Sequence, residues 1–167
     1  MPEEPEGLIP FVGYDLALAI IGAISGWSRF EYEIDELIWQ LAGLEPECGA
    51  CLTAQHQTVS ARFDALLALS RVQNVSSEHI MQMNRLRSRS DALAKKRNRL
   101  VHDPWFVAYR TENQYRLQRT ARARLEHSYV PVTLEEVKEI EVSIEKLIEN
   151  FLTLRRDVLH AFWSPSA

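Results

Sequence analysis

Cysteine is nearly absent from this 167-residue chain. The two that occur, Cys48 and Cys51, form a single CxxC. With no second pair, a closed zinc site needs other ligands, and His56 is the nearest candidate. A redox CxxC usually sits at a helix start after a strand, and no such βαβ pattern surrounds this one. The pair reads as reduced thiols in a loop between two helices, so no metal and no cofactor are expected. Long apolar runs are also lacking. The most apolar stretch, Leu16 to Ile24, is too short to span a bilayer, and no membrane partner is expected. The first ten residues, MPEEPEGLIP, are acidic where a secretory leader is basic; a cytoplasmic protein is the expectation. A Gly-rich phosphate loop, a GxSxG elbow and an HExxH helix are all missing. Internal repeats and low-complexity tracts are missing as well.

What is present suits a single globular domain. Hydrophobic residues make up 46% and charged residues 25%, enough to bury a core without metal or disulfide support. The net charge of −4 argues against a nucleic-acid partner, but its distribution does not. Residues 85–124 hold twelve Lys/Arg against three acids, or +9. The remainder holds seven bases against twenty acids, or −13. Such segregation places a basic surface on an acidic body, or else neutralises the acidic helices beside it.

The periodicity predicts four helices. The first runs from about Asp15 to Ala42, with Leu16, Ile20, Ala23, Trp27, Phe30, Ile34, Leu37 and Leu41 on one stripe. Asp15 reads as its N-cap and Gly43 as its stop. Gly22 and Gly26 share a face on which another helix can approach closely. Glu31, Glu33, Asp35 and Glu36 read as a solvated acidic face. The second helix spans about Thr53 to Gln73, with Val59, Phe63, Leu66, Leu67 and Ser70 turned inward. The third spans about Ser77 to His102, with Ser76 as N-cap and a seam of Met83, Leu86, Ser90, Leu93, Arg97 and Leu100; Pro104 stops it. Two strands follow, Trp105 to Arg110 and Tyr115 to Leu125. On the second, Arg116, Gln118, Thr120, Arg122 and Arg124 share an outer face. The last helix opens on a capping box of Thr133 and Glu136 and carries the stripe Val137, Ile140, Ile144, Leu147, Phe151, Leu154 and Val158. The expected fold is mainly α: a four-helix bundle with a β-hairpin, about 105–125, inserted between helices 3 and 4. Residues 1–14 form an N-terminal extension to a single domain at 15–163.

Arg97 is the anomaly. It sits on an apolar seam between Leu93 and Leu100, where a guanidinium is costly unless paired or facing a polar cavity. An acid of the first helix, Glu33 or Glu36, is one partner that would make it purely structural. Asn98 and His102 lie four apart on one helical face, and His102 falls at the negative end of the helix dipole. Arg, Asn and His within six residues suit phosphate binding and proton transfer.

The run Arg97-Asn98-Arg99-Leu100-Val101-His102 resembles the signature of the HEPN superfamily: an Arg, a polar residue, and a His a few positions on, at the end of the third helix of an α-helical bundle. The resemblance covers the helical core, and the hairpin would be an insertion. It implies a metal-independent endoribonuclease working as a homodimer, with paired Arg and His residues facing one cleft. His102 would activate the ribose 2′-OH or protonate the leaving 5′-oxygen. Arg97 would stabilise the pentacoordinate phosphate, and Asn98 would orient His102 or the phosphate. Arg99, Arg116, Arg122 and Arg124 would hold the RNA backbone, and Trp105 or Tyr109 would stack on bases, Trp105 serving equally well as core. A toxin or defence role with a protein antitoxin is implied too. Some toxin members carry a modifiable tyrosine two positions after the His; here that position is Pro104. The alternative within the same resemblance is a non-catalytic helical module binding a nucleotide, RNA or protein.

Overall fold

A computed structural model describes residues 5–121 and 125–163. The described residues form five helices and four strands in the order β1 (Leu8–Pro10), α1 (Tyr14–Ala42), α2 (Pro46–Thr53), α3 (Val59–Val72), α4 (Ser77–His102), β2 (Trp105–Ala108), β3 (Gln114–Ala121), β4 (Leu125–Pro131) and α5 (Leu134–Trp163). The protein is mainly helical, with one small antiparallel sheet. Two compact units divide the chain: Met1–Ser25 with Lys95–Val142, and Gly26–Ala94 with Ser143–Ala167.

The helix ends follow their local chemistry. Gly43 takes φ +65, and the Gly43 and Leu44 N–H groups donate to the Gln40 and Trp39 carbonyls. That double bond pattern ends α1 by satisfying carbonyls the helix would leave orphaned. At the other end α1 begins one residue before Asp15, and the Gly13 carbonyl accepts from Ala17 N–H at 2.8 Å. Asp15 is therefore in the first turn and is not the cap. Ser76 Oγ accepts from His79 N–H and Thr133 exchanges two hydrogen bonds with Glu136, so α4 and α5 start where their caps place them.

The expected second helix is two helices. Pro46 occupies the first turn of α2, where its missing N–H costs nothing. Thr58 then caps α3 by accepting from Ala61 N–H at 3.1 Å. Thr53 closes α2 rather than opening a longer helix. The CxxC consequently lies on a helix and not in a loop.

In the second unit, Phe30, Phe63 and Phe151 are each fully buried. Their ring centroids lie 5.7–6.2 Å apart, and Phe151 meets both others edge-on. Ile34, Leu37, Leu66, Met83, Ile144, Leu154 and Val158 are buried in the same unit. All five inward residues expected between Val59 and Ser70 are buried. A Cβ on Gly26 would stand 3.2 Å from Ile144 Cγ2, and one on Gly22, in the first unit, would collide with Glu141. The two glycines thus let α5 approach α1.

The sheet of the first unit is larger than the expected hairpin. Its order is β1-β2-β3-β4, all antiparallel. β1 comes from the segment read as an extension and pairs Leu8 with Ala108 and Pro10 with Phe106. β4 pairs along β3 from Tyr115↔Pro131 to Ala121↔Leu125. Leu117 points into the core, as the two-residue alternation requires.

Candidate functional site at the end of α4

The last two turns of α4 carry Arg97, Asn98, Arg99 and His102, and a two-residue corner, Asp103 and Pro104, leads directly into β2. Four contacts hold that corner. Trp105 donates its indole N–H to the Leu100 carbonyl at 3.0 Å, satisfying one of the helix's terminal acceptors. Leu117 N–H donates to the Pro104 carbonyl at 2.8 Å. The Asp103 carboxylate receives Arg116 from β3 and Arg99 from the turn before it, the latter at 3.5 Å. His102 is therefore flanked by a backbone with little freedom to move.

Arg97 behaves as its seam position demands. It is half-buried, and its Nε is buried with no hydrogen-bond partner among the described residues. Nη1 donates to Asn98 Oδ1 at 3.1 Å. Among the described residues it forms no ion pair. Glu33 and Glu36, the acids that would have made it structural, are both bound by Arg155 of α5. Glu33 also meets Arg29 at 3.7 Å. A buried donor without an acceptor costs about 1–3 kcal/mol. Arg97→Met is accordingly expected to hold stability level or raise it by about 1–3 kcal/mol in urea unfolding. A loss of that size would mean that the guanidinium holds the fold together.

The geometry links the three residues in a particular way. Arg97 and His102 are five positions apart, about 140° around the helix, so one turns inward while the other is exposed. Asn98 lies about 40° from His102 and is hydrogen-bonded to Arg97. It therefore bridges the half-buried guanidinium and the exposed imidazole. No hydrogen bond joins the His102 side chain to another described residue.

The expected RNA-contacting residues divide. Arg99 is partly free, its side chain 33% exposed although it reaches Asp103. Arg116 is not a surface cation: its side chain is 14% exposed and closes on Asp103. The face expected to point outward is covered at Arg116, because Asp103 meets it there. Trp105 is half-buried and committed to the end of α4, whereas Tyr109 is 76% exposed. Arg122 and Arg124 lie outside the described residues. Asp103 was missed by sequence reasoning; its only signal was its place between His102 and Pro104.

The acidic run of α1 is paired rather than solvated. Asp35 accepts from Arg62 at 3.0 Å, Glu31 accepts from Trp27 Nε1, and Glu36 accepts from Tyr32. Burial pushes the Asp35 carboxyl above its ordinary range, although Arg62 beside it pulls the other way. No family model, curated protein or solved structure matches the chain.

Proposed function

We propose that this protein is a metal-independent endoribonuclease of HEPN type, acting at a composite site built by two copies of the α4 end. The observation that carries the reading is the buried, unpartnered Nε of Arg97, whose guanidinium is tied through Asn98 to the face that exposes His102. A cation left without a carboxylate on an apolar seam is poised for an anion from outside. Guanidinium geometry suits two oxygens of a phosphodiester.

In this reading His102 removes the proton of a ribose 2′-OH, and the 2′-oxygen attacks phosphorus. The bond to the 5′-oxygen breaks, and that oxygen is protonated by His102 of the second copy. The product is a 2′,3′-cyclic phosphate and a free 5′-hydroxyl. Arg97 stabilises the charge on the equatorial oxygens. Lys95, Lys96 and Arg99 hold the backbone from α4, and exposed Tyr109 offers the stacking surface. A toxin or defence setting with a protein antitoxin belongs to the same proposal.

A non-catalytic RNA-binding module is the second reading. It is favoured by the lack of any described side chain hydrogen-bonded to His102, since general bases are normally oriented by a partner. The two separate in one assay. The nuclease reading expects a single-stranded RNA to be cut in EDTA, with 2′,3′-cyclic phosphate ends, and the same sequence as DNA to remain whole. RNA that is bound but uncut supports the module. RNA neither bound nor cut removes both.

A further inference from the structure

Helix α2 exposes what proteins usually hide. Cysteine is among the most buried residue types, yet Cys48 and Cys51 are both exposed. Leu52 beside them is 60% exposed. The opposite face of the same helix is anchored. Gly49 lies against the Trp39 ring, where an added Cβ would come within 2.3 Å of Cγ. Thr53 is buried, accepts from Trp39 Nε1 at 3.1 Å and donates to the Gly49 carbonyl. With Gly49 and Thr53 fixed inward, the helical period turns Cys48 and Cys51 outward, about 60° apart and one turn from each other.

The spacing distinguishes between the fates of two thiols. Cβ atoms three residues apart on a helix stand about 5–6 Å from each other. A disulfide requires about 3.5–4.5 Å, so oxidation would have to distort α2. Two thiolates on one tetrahedral ion need their sulfurs only about 3.8 Å apart at a metal–sulfur distance of about 2.3 Å. Two rotatable Cys side chains span that without moving the backbone. Among the described residues no group of three or more His, Cys, Asp or Glu could hold a metal.

We propose that Cys48 and Cys51 form half of a tetrathiolate zinc site, completed by the same two residues of a second copy. One chain supplies two of the four ligands that a closed site requires, so the site is incomplete without its partner. Leu52 provides the apolar contact beside the ion. Binding converts four thiols and one Zn²⁺ into a tetrathiolate complex and releases four protons, with no change of oxidation state. This proposal goes beyond the reading of uncommitted thiols and is independent of the ribonuclease reading.

The test titrates the full, reduced chain with Co²⁺ and then Zn²⁺, followed by absorbance and by light-scattering mass. The expected result is a tetrahedral cobalt–thiolate spectrum saturating at one ion per two chains, displaced by Zn²⁺, with a mass that doubles with metal and halves in EDTA. Cys48→Ser and Cys51→Ser should each abolish the spectrum, and His56→Ala should retain it. No saturable uptake at micromolar metal, uptake that survives both serine variants, or saturation at one ion per chain without a change of mass would each overturn the proposal. RNA enters none of these readouts, so failure here leaves the α4 site untouched, and failure of the nuclease leaves this one untouched.

Discussion

His102→Ala is expected to lower RNA cleavage by about 10²–10⁴-fold, the usual contribution of a general acid or base, while leaving stability within about 0.5 kcal/mol. The stability half of this expectation rests on its exposed position and on the lack of any side-chain hydrogen bond to another described residue. Removing the ring leaves no buried cavity and no orphaned polar group. The corner beyond it is held by Asp103, Pro104 and Trp105 and not by the imidazole. Cleavage rates under single-turnover conditions and a urea melt measure the two halves separately. Unchanged cleavage would remove His102 from the chemistry. A large loss of stability would show that it supports the fold. Together with Arg97→Met, expected to lose RNA binding without losing stability, the variant separates a site kept for a ligand from one kept for folding.

Phe30→Ala is expected to destabilise the protein by about 3–5 kcal/mol, the range for deleting a fully buried phenylalanine. Phe30 touches Trp27, Phe63 and Phe151, with centroids 5.7–6.2 Å away. Its removal leaves three aromatic rings facing a cavity, and loses the edge-to-face contact with Phe151 beyond the transfer of apolar area. Because a domain of this size is typically stable by only about 5–15 kcal/mol, the variant should unfold at markedly lower urea concentration. Phe30→Leu should lose less, since it refills part of the volume. A Phe30→Ala loss under about 1 kcal/mol would show that the cluster collapses freely around the gap.

Helix α4 and the stripes of α1, α3 and α5 were legible from residue order because a helix is governed by neighbours three and four positions away. Of the seam, Met83, Leu86, Ser90 and Leu100 are buried while Leu93 and Arg97 are half-buried, and of the stripe Val137 to Val158 Ile140 alone is half-exposed. Caps at Ser76 and Thr133 and the stop at Gly43 are equally local. The break between α2 and α3 was missed although its signals, Pro46 and Thr58, were in view; the continuous polar–apolar rhythm after Thr53 masked them.

The candidate site was legible in the same partial way. Arg97 could be recognised as out of place on its seam, since that judgement needs only helical phase. Whether an acid neutralised it could not, because the answer depended on Arg155, more than a hundred residues from Glu33 and Glu36. The fate of Arg116 depended in turn on Asp103, thirteen positions away across a chain reversal.

Chain order alone was sufficient for helical phase, the stop of α1, the caps of α4 and α5 and the oddity of one guanidinium, because each is settled within a turn or two of backbone. Strands β1 and β4, the pairing of the acids of α1 and the outward display of Cys48 and Cys51 were settled by folding. A three-residue strand has no period to read, an ion pair between distant segments follows from proximity and not from order, and a short helix acquires an inside only when Trp39 is brought against it.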